Sequence, residues 1–195
     1  MFNFFNKNSK IKDIAHGLFT KIVSQARQPE FYEAWQVPDT LDGRFDLIIL
    51  HVSLVADRFE AQLQDKNTAH NKNMAMLIRY LQEVLFDNMD MSLRELGVGD
   101  MSVGKKVKIM AEAYYGRKKA YQQIIRSNDM SPDFKNTFKE ALSRNIYRDQ
   151  KPDDGVLDDF VSYVNRQIEC LESQSYEDFM SGNIVFTEVK QTNAR

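Results

Sequence analysis

Cysteine is nearly absent. Cys170 is the only one in 195 residues, so the chain has neither a disulfide framework nor a zinc knuckle. Cys170 falls in an apolar helical pattern, where a packed thiol is expected rather than a nucleophile. Proline and glycine are also scarce, at 4 and 8 residues, so long stretches run without a helix breaker. Long apolar runs are missing. Runs such as Leu47 to Leu50 are far too short to span a bilayer. A strong charge of either sign is missing too, because the net charge of −2 does not make the chain as a whole a polyanion binder. The N-terminus, MFNFFNKNSKIK, is soon followed by Asp13. It has neither the apolar core of a secretory signal nor the long arginine- and serine-rich stretch of a transit peptide. Two readings stay open: a bacterial cytoplasmic chain, with peripheral contact at the inner membrane as an option, or a chain whose presequence was removed.

What is present is helical periodicity. Hydrophobic residues make up 43% of the chain and charged residues 28%, enough apolar side chains for a core in one domain. The spacing predicts helices near 10–27, 43–66, 72–96, 103–127, 132–148, 156–173 and 175–181. Met74, Leu77, Ile78, Leu81, Leu85, Met89 and Leu96 share one helical face. Val103, Val107, Met110, Tyr114, Tyr121 and Ile125 share another. Gly97 is placed to end the first of these helices and Ser102 to cap the second, with a turn too short for anything but an antiparallel pair. Ser131 before Pro132 reads as a cap, and Ser175 with Asp178 as a capping box. The expected fold is an all-α, single-domain bundle of six or seven helices. An irregular packed connection at 28–42 holds Phe31, Tyr32 and Trp35. Residues 1–9 are expected as an N-terminal tail, 10–182 as the helical domain, and 183–195 as an extended or disordered tail.

Charge is spread unevenly. Between Lys105 and Arg126 stand Lys105, Lys106, Lys108, Arg117, Lys118, Lys119 and Arg126 against the single acid Glu112. Between Asp153 and Asp178 lie eight acids against Arg166. One reading is two ordinary solvated faces. The other is a docking surface for RNA or anionic lipid, sensitive to salt. At 100° per residue Lys105, Lys108 and Lys119 lie together, while Lys106 and Arg117 flank the apolar face. Exposed aromatics do not interleave with these cations as they do in single-strand binders.

Nothing defensible as a catalytic set emerges. Gly97, Gly99 and Gly104 do not follow the order of a phosphate-binding loop, and no strand is expected before them. Asp87, Asp90 and Arg94 lie opposite the apolar face of their helix, and the spacing of Asp90 and Arg94 suits an intrahelical ion pair. No Glu-x-x-His motif of a dinuclear carboxylate site occurs. His51 and Arg58 belong to a second row, with Leu47 and Leu54, on a helix whose first row is Phe45, Ile48, Ile49, Val52, Val55, Phe59 and Leu63. A helix apolar on two sides is covered on two sides. His51 and Arg58 are therefore expected to be at least partly buried, with Asp87 or Asp90 as candidate partners in a polar network that fixes packing.

Several segments, in order, carry a family resemblance. They are Gln25-Ala26-Arg27-Gln28-Pro29-Glu30-Phe31-Tyr32, then Val37-Pro38-Asp39-Thr40 with Asp42-Gly43-Arg44-Phe45-Asp46, then Leu50-His51-Val52 with Arg58. Asp87 and Asp90 with Leu93-Arg94-Glu95 follow, then Gly97-Val98-Gly99-Asp100 with Val103-Gly104-Lys105, and Tyr115-Gly116-Arg117 with Ala120-Tyr121. From about residue 11 to 171 the chain resembles the ubiquinol–cytochrome c chaperone family, in its alphaproteobacterial branch. The resemblance implies an all-helical, non-catalytic assembly factor for the cytochrome bc1 complex that holds newly made cytochrome b and needs no cofactor. In mitochondrial members it also implies a small partner protein and a place beside the ribosome. Those members carry a targeting extension that this N-terminus lacks. The alternative is a peripheral membrane or lipid-binding module docking through the basic helix.

Overall fold

The computed structural model describes residues 2–63, 68–126 and 132–190, with side chains from residue 8 onward except at 68 and 132. Among these residues every regular element is a helix. They are α1 (Phe2–Ala26), α2 (Glu30–Glu33), α3 (Leu41–Gln62), α4 (Thr68–Glu95), α5 (Asp100–Arg126), α6 (Pro132–Leu142), α7 (Asp154–Glu172) and α8 (Tyr176–Met180). The last turns of α6 open into a π-helix over Ser143–Tyr147. The fold is the all-α, single-domain bundle the periodicity predicts. Within it two compact units can be traced, and the border between them crosses α1, α3 and α5 as well as the connections before and after α8.

The first unit comprises Met1–Lys21, Phe59–Gly116 and Ser175–Ile184. Its centre is the antiparallel α4–α5 hairpin. Met74, Leu77, Leu81, Leu85 and Met89 are all buried on α4, and Val103 and Tyr114 on α5. The Tyr114 ring meets Phe86 edge-on at 5.8 Å, and its hydroxyl lies 3.4 Å from Gln82 Nε2. Gly97 ends α4 as expected. At φ +77° it closes a Schellman cap, with Val98 N–H donating to Leu93 O at 3.0 Å and Gly97 N–H to Arg94 O at 2.9 Å. The helix after it starts earlier than expected. Gly99 O accepts from the N–H groups of Ser102 and Val103, so Ser102 lies inside α5 and does not cap it. The capping box of α8 is present, Ser175 and Asp178 bonding each other's backbone N–H.

The second unit comprises Ile22–Arg58, Arg117–Gln174 and Val185–Arg195. Its core is aromatic. Phe31, Trp35, Phe160 and Tyr163 are buried and meet ring to ring at 5.0–6.3 Å. The irregular connection thus packs as expected, with one short helix, α2, inside it. Thr40 caps α3, its Oγ1 accepting from Gly43 N–H at 3.1 Å, so the helix starts two residues before the predicted point. Both rows of α3 are covered: Ile48, Ile49, Val52 and Val55 on one, Leu47, His51 and Leu54 on the other. Residues 185–190 carry no regular element but are held by side-chain amides.

One further expectation meets the structure differently. α1 already begins at Phe2, in the stretch expected as a tail, because no proline interrupts Phe2–Ala26. The Ser131 cap and residues 191–195 lie outside the described residues.

Candidate functional site

The residues singled out from sequence fall into three groups. The first surrounds His51. Leu47 O can only accept, so the ring's Nδ1, 2.7 Å away, carries the proton and donates. Nε2 then accepts from the Tyr163 hydroxyl at 2.7 Å. Gln25 Nε2 donates to the same hydroxyl at 2.9 Å and to Thr187 O at 2.9 Å. The ring is fully buried, and desolvation pushes its pKa down to about 4 from the ordinary 6.5. A neutral imidazole with both nitrogens engaged is a packing element and offers no base to a substrate.

Arg58 ends its helix row by capping another helix. Its guanidinium donates to Leu171 O at 3.0 Å and to Glu172 O and Gln174 O, each at 3.1 Å. Leu171 and Glu172 are the last residues of α7, whose end is electronegative through the helix dipole, and Gln174 lies just beyond it. The expected pairing with Asp87 or Asp90 is therefore corrected. His51 and Arg58 are satisfied by Tyr163 and by backbone carbonyls. Asp87 is exposed, and Asp90 pairs with Arg94 at 2.5 Å. Arg94 also bonds Asp100 across the turn, pinning the end of α4 to the start of α5.

The second group is one the sequence did not assemble. Asp46, wholly buried on α3, lies 2.9 Å from Arg117 Nη1 and accepts from Arg148 Nη2 at 2.9 Å. Arg148 also reaches Asp42 at 2.5 Å. The Arg117 contact is close enough for ion pairing but is not aligned as a hydrogen bond. Burial pushes the Asp46 pKa up to about 6, and the two guanidiniums limit the rise. At pH 7 the carboxylate keeps its charge. Arg148 has φ +56° immediately after the π-helix. A non-glycine residue in that region is strained, and its two carboxylate partners hold it there. Beside it an open depression of about 820 Å³ is lined by Lys139, Arg144 and Arg148, and by Glu140, Asp149 and Asp154. The two signs balance, so the depression selects neither anion nor cation.

The third group is the basic helix, and the structure divides it. Arg117 is spent on Asp46, Lys118 is buried, and Arg126 bonds Asp57 at 2.8 Å. Lys105, Lys106, Lys108 and Lys119 are exposed. Lys108 lies 4.0 Å from Glu112. Arg117 and Lys118, expected as docking residues, are thus withdrawn from the docking face. Both belong to the second unit. The hairpin end of α5 carries something the charge count did not show. Met101 is fully exposed, and Leu96, Ile109, Met91 and Tyr115 are more than half exposed. Leu96, expected on the core face, sits past the last turn of α4 and so faces outward.

Three residues escaped the sequence reading. Gln167 and Gln174 each bond both the N–H and the C=O of one extended residue, Thr187 and Val185 respectively. Tyr163 completes the His51 site. Gln25 stood in a quoted segment, but nothing in a pattern of residues reveals where a side-chain amide points. Among the described residues no group of three or more His, Cys, Asp or Glu is placed to hold a metal, and no helix is long and apolar enough to cross a membrane.

Comparison with known proteins gives a consistent result. A Ubiquinol-cytochrome C chaperone family profile matches residues 33–186. The ubiquinol-cytochrome-c reductase complex assembly factor 1 of Xenopus laevis is 24% identical, over 95% of this chain and 86% of its own length. The mouse and human proteins of the same description are also 24% identical, and the chain spans 53% and 57% of their lengths. The crystal structure of the Cbp3 homolog from Brucella abortus superimposes with a TM-score of 0.79 at 32% identity, covering 98% of this chain and 99% of that one. His51, Arg58 and Asp46 lie within the matched span. The chain belongs to the ubiquinol–cytochrome c chaperone family.

Proposed function

We propose that this protein is a non-catalytic assembly chaperone for the respiratory cytochrome bc1 complex, and that it holds newly made cytochrome b at the cytoplasmic side of the inner membrane. The observation that carries the reading is the family match across residues 33–186. The site geometry supports it. The histidine and the most deeply buried carboxylate of the motif segments are spent on internal bonds and are not free for chemistry.

The test is made in the cell that produces the protein. Deleting the gene should lower assembled bc1 complex and its haem b absorbance, and the wild-type copy should restore both. Pulse-labelled cytochrome b should co-purify with the tagged chain within minutes of synthesis. The same purification reports whether a small partner protein or ribosomes come along. Normal bc1 levels after deletion, with no labelled cytochrome b captured, would sink the reading.

A further inference from the structure

Five of the seven large apolar side chains exposed among the described residues lie between Met91 and Tyr115. They cluster at the α4–α5 turn and along the outer face of α5, within the first unit. At 100° per residue Met101, Lys105, Lys108 and Tyr115 share one outward sector of α5, and Ile109 borders it. Lys105 and Lys108 are exposed there. The nearby acids are Asp90, Asp100 and Glu112. Arg94 holds the first two, and Glu112 lies beside Lys108. Asp87 and Glu95, on α4, are exposed as well. They make the outer side of α4 acidic and leave α5 as the side that can approach an anion. The Schellman cap and the Arg94 bridges hold the turn in one geometry.

We propose that the outer face of the α4–α5 hairpin docks on an anionic lipid bilayer, with Met101 entering the headgroup region and Lys105 and Lys108 meeting lipid phosphates. Apolar side chains beside lysines suit a bilayer on two counts. The apolar groups leave water for the acyl boundary, and the lysines keep their ammonium groups at the phosphates while burying their stems. RNA would satisfy only the second count, because a phosphodiester backbone offers methionine and isoleucine nothing, and one exposed ring, Tyr115, is not the row of aromatics on which successive bases stack. This inference does not depend on which client the chaperone holds.

The experiment uses the full chain and vesicles of phosphatidylglycerol mixed with phosphatidylcholine, against pure phosphatidylcholine. Sedimentation should occur with the anionic vesicles only and weaken from 0.1 M to 1 M salt, as the screening length falls from about 10 Å to about 3 Å. Lys105→Glu with Lys108→Glu should reduce it at least tenfold. Met101→Asp should weaken it several-fold, with both variants melting near wild type because every changed side chain is exposed. The single tryptophan, Trp35, is buried. A Met101→Trp variant therefore adds one reporter at the turn, and its emission should shift to the blue with anionic vesicles. No sedimentation at low salt, or equal sedimentation with pure phosphatidylcholine, would overturn the proposal. So would a charge effect without any effect of Met101→Asp or any spectral shift. Binding to ribosomes that the lysine reversal abolishes, alongside vesicle binding that it leaves unchanged, would also overturn it.

Discussion

Tyr163 is the residue on which the His51 site turns. Its hydroxyl donates to the imidazole and accepts from Gln25, so one phenol joins α1, α3 and α7. Tyr163→Phe strands a buried imidazole acceptor and should cost about 1–3 kcal/mol of stability, read from urea midpoints. A midpoint shift too small to resolve would mean that water or another donor replaces the phenol. Asp46 should cost more. Asp46→Ala leaves the partly buried Arg117 and Arg148 without their shared acid, and breaking a buried pair typically costs about 3–5 kcal/mol. A loss under about 1 kcal/mol would show that the guanidiniums find solvent instead. At this scale the sequence was partly legible. The burial of His51 could be read because it stands in a second apolar row on α3. Its partner could not, because that depends on how α7 packs, and hydrogen-bond direction leaves no periodic trace. Asp46 lies only five residues before His51, but its partners Arg117 and Arg148 come from distant parts of the chain, which spacing does not reveal.

Elements were more legible than their ends. The apolar faces of α3, α4 and α5 are periodic over many turns, and that signal survives a missing or misplaced cap. Their starts depend on single residues. Thr40 captures Gly43 N–H and starts α3 two residues early, and the Gly99 carbonyl rather than the Ser102 side chain starts α5. The π-helix at the end of α6 has no periodic signature of its own, since one widened turn leaves the apolar spacing almost unchanged. Two glycines separate what the local structure tolerates from what it does not. A Cβ on Gly43 would lie 2.0 Å from Pro38 O, against backbone that the Asp39–Arg44 bridge and the Thr40 cap hold in place. Gly43→Ala should therefore destabilise by about 1–3 kcal/mol, as overpacking does. Gly104 sits inside α5, and a Cβ there would meet nothing within 4 Å. Gly104→Ala should raise stability by about 0.5–1 kcal/mol, because alanine loses less backbone freedom on folding. Paired thermal melts check both signs at once, and the same sign for the two variants would contradict the local geometry of one of them.

At the scale of the whole molecule the two buried titrating groups oppose each other, and that sets how stability depends on pH. The His51 pKa is about 4 in the fold and 6.5 ordinarily. Its contribution is complete above pH 6.5 and is lost as pH falls toward 4, because the unfolded chain takes up the proton first. The Asp46 pKa is about 6 in the fold and 3.8 ordinarily. Here the fold takes up the proton first, so a cost present above pH 6 is relieved as pH falls toward 3.8. Each effect amounts to about 3 kcal/mol, with opposite signs over nearly the same window. The wild-type midpoint in urea should therefore change little between pH 6.5 and 4.5 from these two groups. Asp39, Asp178 and Glu188 are held below their ordinary values by Arg44, by the Ser175 backbone and by Lys190. They add losses only toward the acid end. Asp46→Asn removes the opposing effect, so its midpoint, lower from the start, should fall steeply over that window. His51→Gln should do the reverse and gain stability on mild acidification. Urea titrations of the three proteins at half-unit steps of pH decide the matter. Three parallel curves would mean that neither group is held in the fold as its burial and partners require.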